Sequence, residues 1–85
     1  VPFGSLVELG IIKPGTTIFD NKKKISAKIM ADGSIKHDQT EGSIHKVAAT
    51  ILGAESCNGW TYWYCNLNGR DVPIDHLRQR LISNN

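Results

Sequence analysis

No stretch of this chain is apolar for the roughly 18 to 20 residues that crossing a bilayer requires, and the N-terminus lacks the basic-then-apolar pattern of a secretory signal. Cysteine is almost absent. Cys57 and Cys65 are the only two in 85 residues, too few for a disulfide scaffold. Seven residues separate them, whereas structural zinc sites favour ligands about two to four apart, so neither a zinc clamp nor a native disulfide is expected. Neither sign of charge dominates: ten Lys and Arg against eight Asp and Glu leave +2, a balance that permits a nucleic-acid partner without demanding one. Also missing are a GxGxxG or P-loop phosphate cradle, paired carboxylates, and any recognised nucleophile pattern around Cys57 or the three histidines. The chain therefore offers no constellation for an independent enzyme. With no export signal, a reducing, cytoplasmic compartment is expected.

What is present suits one small domain. A hydrophobic share of 40% and a charged share of 21% are ordinary for a globular chain. "VPFGSLVELGIIKPGT" reads as a short helix capped by Ser5 and stopped by Gly10, followed by the turn Lys13–Thr16. "TIFD" is a first strand, and the polar tip Asp20–Lys24 carries three consecutive lysines. Ile25, Ala27, Ile29 and Ala31 alternate with Ser26, Lys28, Met30 and Asp32, the period of a half-buried strand. Asp32-Gly33 marks a hairpin, "SIKH" returns, and "DQTEG" reads as a polar loop. The clearest helix follows: Ser43 caps it, Ile44, Val47, Ala48, Ile51 and Leu52 form its apolar stripe, and Gly53 ends it. An aromatic strand over Trp60–Leu67, a turn at Asn68-Gly69, a brief strand at Val72–Ile74 and a helix from Asp75, with Leu77, Leu81 and Ile82 inward, complete the chain. The expected fold is α+β, a small antiparallel sheet with helices on one face, in the order α-β-β-β-α-β-α.

"CNGWTYWYC" holds four of the six aromatic residues. Strand alternation puts Trp60, Tyr62 and Tyr64 on one face and Thr61, Trp63 and Cys65 on the other. Trp63 and Cys65 read as core. Trp60, beside the Asn58-Gly59 turn, is divided between core and a surface for something flat. Ser43, His45 and Lys46 cluster at a helix start, where free N–H groups suit phosphate. Lys46 is unfavourable there for the helix dipole, so it needs another reason, and phosphate supplies one. If that helix start meets the Asn58 turn, a hydroxyl, an amide, an ammonium and an indole form one patch, suited to phosphate anchoring and base stacking. Lys22–Lys24 either extend the patch or are merely solvated.

The ordered set "VPFGSLVELGIIKPGT", "ADGSI", "GSIHK", "CNGWT-W" and "PIDHLR" resembles the RAMA domain, a module associated with restriction enzymes and adenine methylases, over nearly the whole chain. More closely it resembles the C-terminal domain of bacterial β-class adenine-N6 DNA methyltransferases that modify GANTC sites, including the cell-cycle-regulated enzyme. The resemblance implies that residues 1–85 are a single DNA-binding accessory domain cut from the C-terminus of a longer methyltransferase. It implies that Ser43, His45, Lys46, Asn58 and Trp60 contact DNA. S-adenosylmethionine and the Asp-Pro-Pro-Tyr motif would belong to a catalytic domain of the same chain, this domain would hold no cofactor, and parent enzymes would dimerise. Tyr64 stands where the related "W-F-W-H" form has histidine, which leaves a contact from position 64 unsupported. The rival reading is a structural or self-association module that docks on the catalytic domain.

Overall fold

The computed structural model describes residues 1–83. Its elements are α1 (Phe3–Glu8), β1 (Thr17–Phe19), β2 (Ser26–Ile29), β3 (Ile35–His37), β4 (Thr40–Gly42), α2 (Ile44–Leu52), α3 (Gly59–Tyr62), β5 (Tyr64–Leu67), β6 (Arg70–Pro73) and α4 (Asp75–Ser83). The strands form one antiparallel sheet in the order β4-β3-β2-β1-β5-β6.

The register shows which face is buried. Ile18 pairs with Ala27, Ile29 with Ile35, Ile35 with Gly42, and Cys65 with Val72. The apolar side chains among these partners are all buried, so they share one face. The alternate positions, Thr17, Ser26, Lys28, Lys36 and Glu41, are exposed. Ile44, Val47 and Ala48 of α2, Trp60 of α3 and Leu77 of α4 join the same core, with Trp63, Leu6, Ile18, Ile35 and Ile74 among its fully buried side chains. The expected α+β class with an antiparallel sheet is what the chain adopts.

Several local expectations give way. Ser5 does not cap α1: Pro2 occupies the cap position, no side chain bonds there, and Ser5 N–H donates to the Pro2 carbonyl at 3.0 Å. The polar "DQTEG" contains β4. Asp38 takes a left-handed φ of 51°, and the chain reverses so that His37 faces Thr40 across a two-residue turn. A polar edge strand leaves no hydrophobic alternation to detect.

The aromatic run is not strand from Trp60. Residues 59–62 make a helical turn, and the strand begins only at Tyr64. Trp60 and Trp63 are thereby three residues apart on a helical period and both reach the core, at 6% and 0% exposure, while Thr61 between them is exposed. Trp63 and Cys65 are core as expected, whereas Trp60 joins them instead of sharing a face with the half-buried Tyr62 and Tyr64. In α4, Leu77 is buried as expected, but Ile82 is 49% exposed.

The lysine-rich tip is organised by Asp20, whose carboxylate accepts from the N–H groups of Lys24 (2.7 Å) and Ile25 (3.1 Å). Lys23 folds over the Phe19 ring, 5.0 Å from its centroid, and pairs with Asp71 at 3.0 Å.

Candidate functional site

The site is built where α2 begins and α3 butts against it. Ser43 has an extended backbone, and its Oγ accepts the Lys46 N–H at 3.0 Å, which caps α2. The first turn contains no acid. Lys46 occupies it instead, and its stem lies over Gly42: a Cβ added at Gly42 would stand 3.1 Å from Lys46 Cδ and 3.7 Å from its Cβ and Cγ. The glycine leaves room for the stem to lie against the backbone, as long basic side chains do when their charged end reaches water. Lys46 enters no ion pair among the described residues.

The second wall is the Asn58–Gly59 turn. Asn58 caps α3, its Oδ1 accepting the Trp60 N–H at 3.0 Å. Gly59 is buried, and a Cβ there would lie 2.6 Å from both the carbonyl carbon and the oxygen of Ile44. Only glycine allows this approach. Two hydrogen bonds use it. Gly59 N–H donates to His45 Nδ1 at 2.9 Å, and Trp63 Nε1–H donates to the Ile44 carbonyl at 3.0 Å. The helix start and the turn are thus fixed to each other, and Ser43, His45, Lys46 and Asn58 are all exposed around the junction.

The hydrogen bonding gives this surface a definite chemical sense. Ser43 Oγ, His45 Nδ1 and Asn58 Oδ1 each accept from a backbone N–H of the protein. What remains to face outward is mainly protons: the serine O–H, the histidine Nε2–H, the asparagine NH₂ and the lysine ammonium. Such a donor-rich surface at a helix N-terminus complements oxyanions and other acceptors.

A groove of about 370 Å³ runs from Ser43, His45 and Lys46 along α2 to Glu55, Ser56 and Cys57. A smaller one, about 270 Å³, lies between Phe3, Gly4, Gly33, Ser43, His45 and Trp60.

The structure brings together Ser43, His45, Lys46 and Asn58. It places Trp60 differently from the expectation of an open stacking ring. Trp60 is 6% exposed, the Arg78 guanidinium carbon stands 4.4 Å over its ring, and Phe3 meets it edge-on at 6.0 Å. A face available for stacking on a base is taken by Arg78. Helical placement of residue 60, rather than strand placement, turns the indole inward. Arg78, itself held by Asp75, carries no signal in the sequence, because its partner Trp60 lies far from it along the chain.

Lys22–Lys24 do not line either groove at this junction. Lys23 is engaged by Asp71, and Lys22 lines a separate groove with Asp20, Leu52 and Tyr64. The thiols have different surroundings. Cys65 is buried on β5, where burial and then Asp71 push its ionisation upward, and Cys57 is half-buried in the larger groove. Among the described residues, no helix is long and apolar enough to cross a membrane, and no three His, Cys, Asp or Glu side chains gather as a metal site.

The chain is 33% identical over 78 residues to the type II methyltransferase M.HinfI of Haemophilus influenzae. That alignment covers 92% of this chain and 22% of the methyltransferase, so the chain spans about a fifth of the length of this curated relative. Residues 1–85, the whole chain, match the family described as Restriction Enzyme Adenine Methylase Associated, and the chain belongs to this RAMA family.

Proposed function

We propose that this domain is a DNA-binding accessory module of an adenine-N6 DNA methyltransferase, and that it grips DNA at the junction of α2 and α3. The carrying observation is the donor-rich surface: three side chains have an acceptor engaged inside the protein and protons left outside. Beside them stands a lysine that no ion pair among the described residues engages. Phosphate oxygens accept at every nucleotide, so such a surface holds the backbone and fixes register. Ser43, the free N–H groups of the α2 start and Lys46 hold phosphate. His45 and Asn58 donate to phosphate, sugar or base acceptors. Trp60 acts from beneath, setting the turn and Arg78.

In this reading the methyl transfer and S-adenosylmethionine belong to a catalytic domain of the same parent chain, since residues 1–85 contain neither a glycine-rich loop nor an Asp-Pro-Pro-Tyr motif. A bacterial cytoplasmic parent, specificity for GANTC, cell-cycle regulation and a parent homodimer all rest on the motif resemblance. The test is nuclear magnetic resonance of the domain titrated with a short DNA duplex at low salt. The amides of Ser43, His45, Lys46, Asn58 and Gly59 should shift first. Shifts confined to the open sheet face, around Lys28 and Lys36, would refute the placement.

One observation favours the rival role in docking. Leu9, Ile11 and Ile82 are 63%, 40% and 49% exposed, and Ile11 borders a mainly apolar groove of about 290 Å³ with Leu67, Leu77, Leu81 and Arg80. This surface, rather than the buried Trp60, would carry contact with the catalytic domain or a second copy. Analytical ultracentrifugation decides whether it pairs copies: a dimer lost on Leu9→Ser, with no DNA affinity in the parent, would replace the DNA reading.

A further inference from the structure

His45 has two ends with different duties. Its Nδ1 carries one lone pair, and that pair accepts the Gly59 N–H at 2.9 Å. A ring nitrogen that accepts cannot also hold a proton, so the neutral ring keeps its single proton on Nε2. His45 is exposed, and Nε2 has no partner among the described residues. The ring is therefore held by a backbone N–H on one side and shows a fixed donor on the other.

The two neighbouring side chains repeat the pattern. Ser43 is fixed through Oγ and Asn58 through Oδ1, each by a backbone N–H. His45 differs in bridging two elements: it sits in the first turn of α2 and its bond reaches the first residue of α3. Its neighbours around the grooves are Lys46 on its own helix, Glu55 and Cys57 across the larger groove, and the uncharged Phe3, Gly4 and Gly33 across the smaller one.

We propose that His45 is a two-ended positioning and contact residue, which anchors the Asn58–Gly59 turn through Nδ1 and delivers Nε2–H, as the neutral ε tautomer, to an acceptor on DNA. The inward half stands on the geometry alone; the outward half rests on the DNA reading above. The hydrogen bond one imidazole nitrogen makes sets the role of the other. Here a backbone N–H donor at Nδ1 leaves Nε2 the donor, whereas a carboxylate there would leave Nε2 the acceptor.

Two substitutions separate the ends. Asn places its Oδ1 at about the reach of Nδ1 and loses the outer donor. Gln places its NH₂ at about the reach of Nε2 and loses the inner acceptor. The experiment combines a long-range proton–nitrogen spectrum of the His45 ring, amide exchange at Gly59, and titration with a short DNA duplex. The expected result is the ε tautomer in the parent. His45→Asn should keep slow exchange at Gly59 yet bind DNA about three- to tenfold more weakly, the loss of one hydrogen bond. His45→Gln should speed Gly59 exchange at least about tenfold by the same measure.

Parental affinity in His45→Asn would show an anchor only, and unchanged Gly59 exchange in His45→Gln a contact only; either overturns the proposal, as does a δ tautomer. A parent chain that does not bind the duplex overturns the DNA reading and the outward half with it, while the tautomer and the Gly59 exchange still decide the inward half.

Discussion

Gly59→Ala is the sharpest perturbation of the junction, because one methyl group meets backbone. Its Cβ would stand 2.6 Å from the carbonyl carbon and oxygen of Ile44 and 2.8 Å from the Ile44 Cβ. Ordinary contact begins near 3.4 Å, so α3 must retreat by 0.8 Å, the difference between 3.4 and 2.6. The same retreat draws Gly59 N–H from His45 and Trp63 Nε1–H from the Ile44 carbonyl, now 2.9 and 3.0 Å apart. Near 3.7 Å neither is a useful hydrogen bond. The protein either keeps the bonds and bears overpacking of about 1–3 kcal/mol, or yields and loses two bonds of about 1 kcal/mol each. These are alternatives rather than a sum, and both centre on a loss of about 2 kcal/mol.

An 85-residue domain has roughly 4–13 kcal/mol of total stability, so the variant should remain folded near neutral pH but lose roughly 10–20 °C in Tm. Urea unfolding read by tryptophan fluorescence suits the measurement, since Trp60 and Trp63 both lie in the core. Gly4→Ala is the control: its Cβ would meet nothing nearer than Gly33 Cα at 4.0 Å, and in helix α1 it should be neutral or stabilising by up to about 1 kcal/mol. If Gly59→Ala unfolds within about 0.5 kcal/mol of the parent, the close approach does not exist as described.

Gly42→Ala should behave in the opposite way: its Cβ meets only the flexible Lys46 stem at 3.1 Å, so stability should change by no more than about 0.5 kcal/mol while DNA affinity, read by fluorescence anisotropy, falls as the ammonium is displaced. At the far edge of the sheet, the Lys23 ammonium, then the Asn66 amide, hold the Asp71 carboxyl below its ordinary value of 3.8. A carboxylate lowered on folding contributes stability above its unfolded value and loses it as pH falls through the folded one. Asp71→Asn should therefore be slightly less stable than the parent at neutral pH, and the two should converge as the pH falls below the ordinary value of 3.8 and the folded carboxylate takes up its proton; a gap that persists in acid would show that the carboxylate charge is not the cause.

The parts of the fold that the sequence states clearly are those with a strong period or a stop residue. Helix α2 is legible from Ser43, the stripe Ile44–Val47–Ala48–Ile51–Leu52 and Gly53, and it lies where those residues put it, except that Leu52, at the end of the stripe, is 56% exposed. β2 and the hairpin at Asp32-Gly33 follow from alternation. β4 is hidden because Thr40 and Glu41 lie on a polar edge, and α3 because a four-residue helical turn among aromatics looks like strand. Tertiary packing decides it: the Asn58 cap and the approach of Gly59 to Ile44 hold the turn.

For the site, Ser43, His45, Lys46 and Asn58 are legible as residue types that cap or bind at a helix start, and the fold joins them. Their mutual arrangement is not legible. The bond from Gly59 to His45 spans 14 positions, and no local pattern announces it. Trp60 escapes the sequence reading for the same reason as α3, and Arg78 reaches it from the last helix.

Everything proposed for DNA turns on phosphate binding at this junction, where Lys46 supplies the full positive charge that lines the larger groove. The decisive experiment titrates the folded parent and Lys46→Ala with a DNA duplex over a range from about 50 to 200 mM salt and compares the slopes of log K against log salt. Removing one phosphate-neutralising charge should make the slope shallower by about 0.9, with unchanged Tm. Equal slopes in two equally stable proteins would show that Lys46 holds no phosphate and that DNA does not bind through this junction.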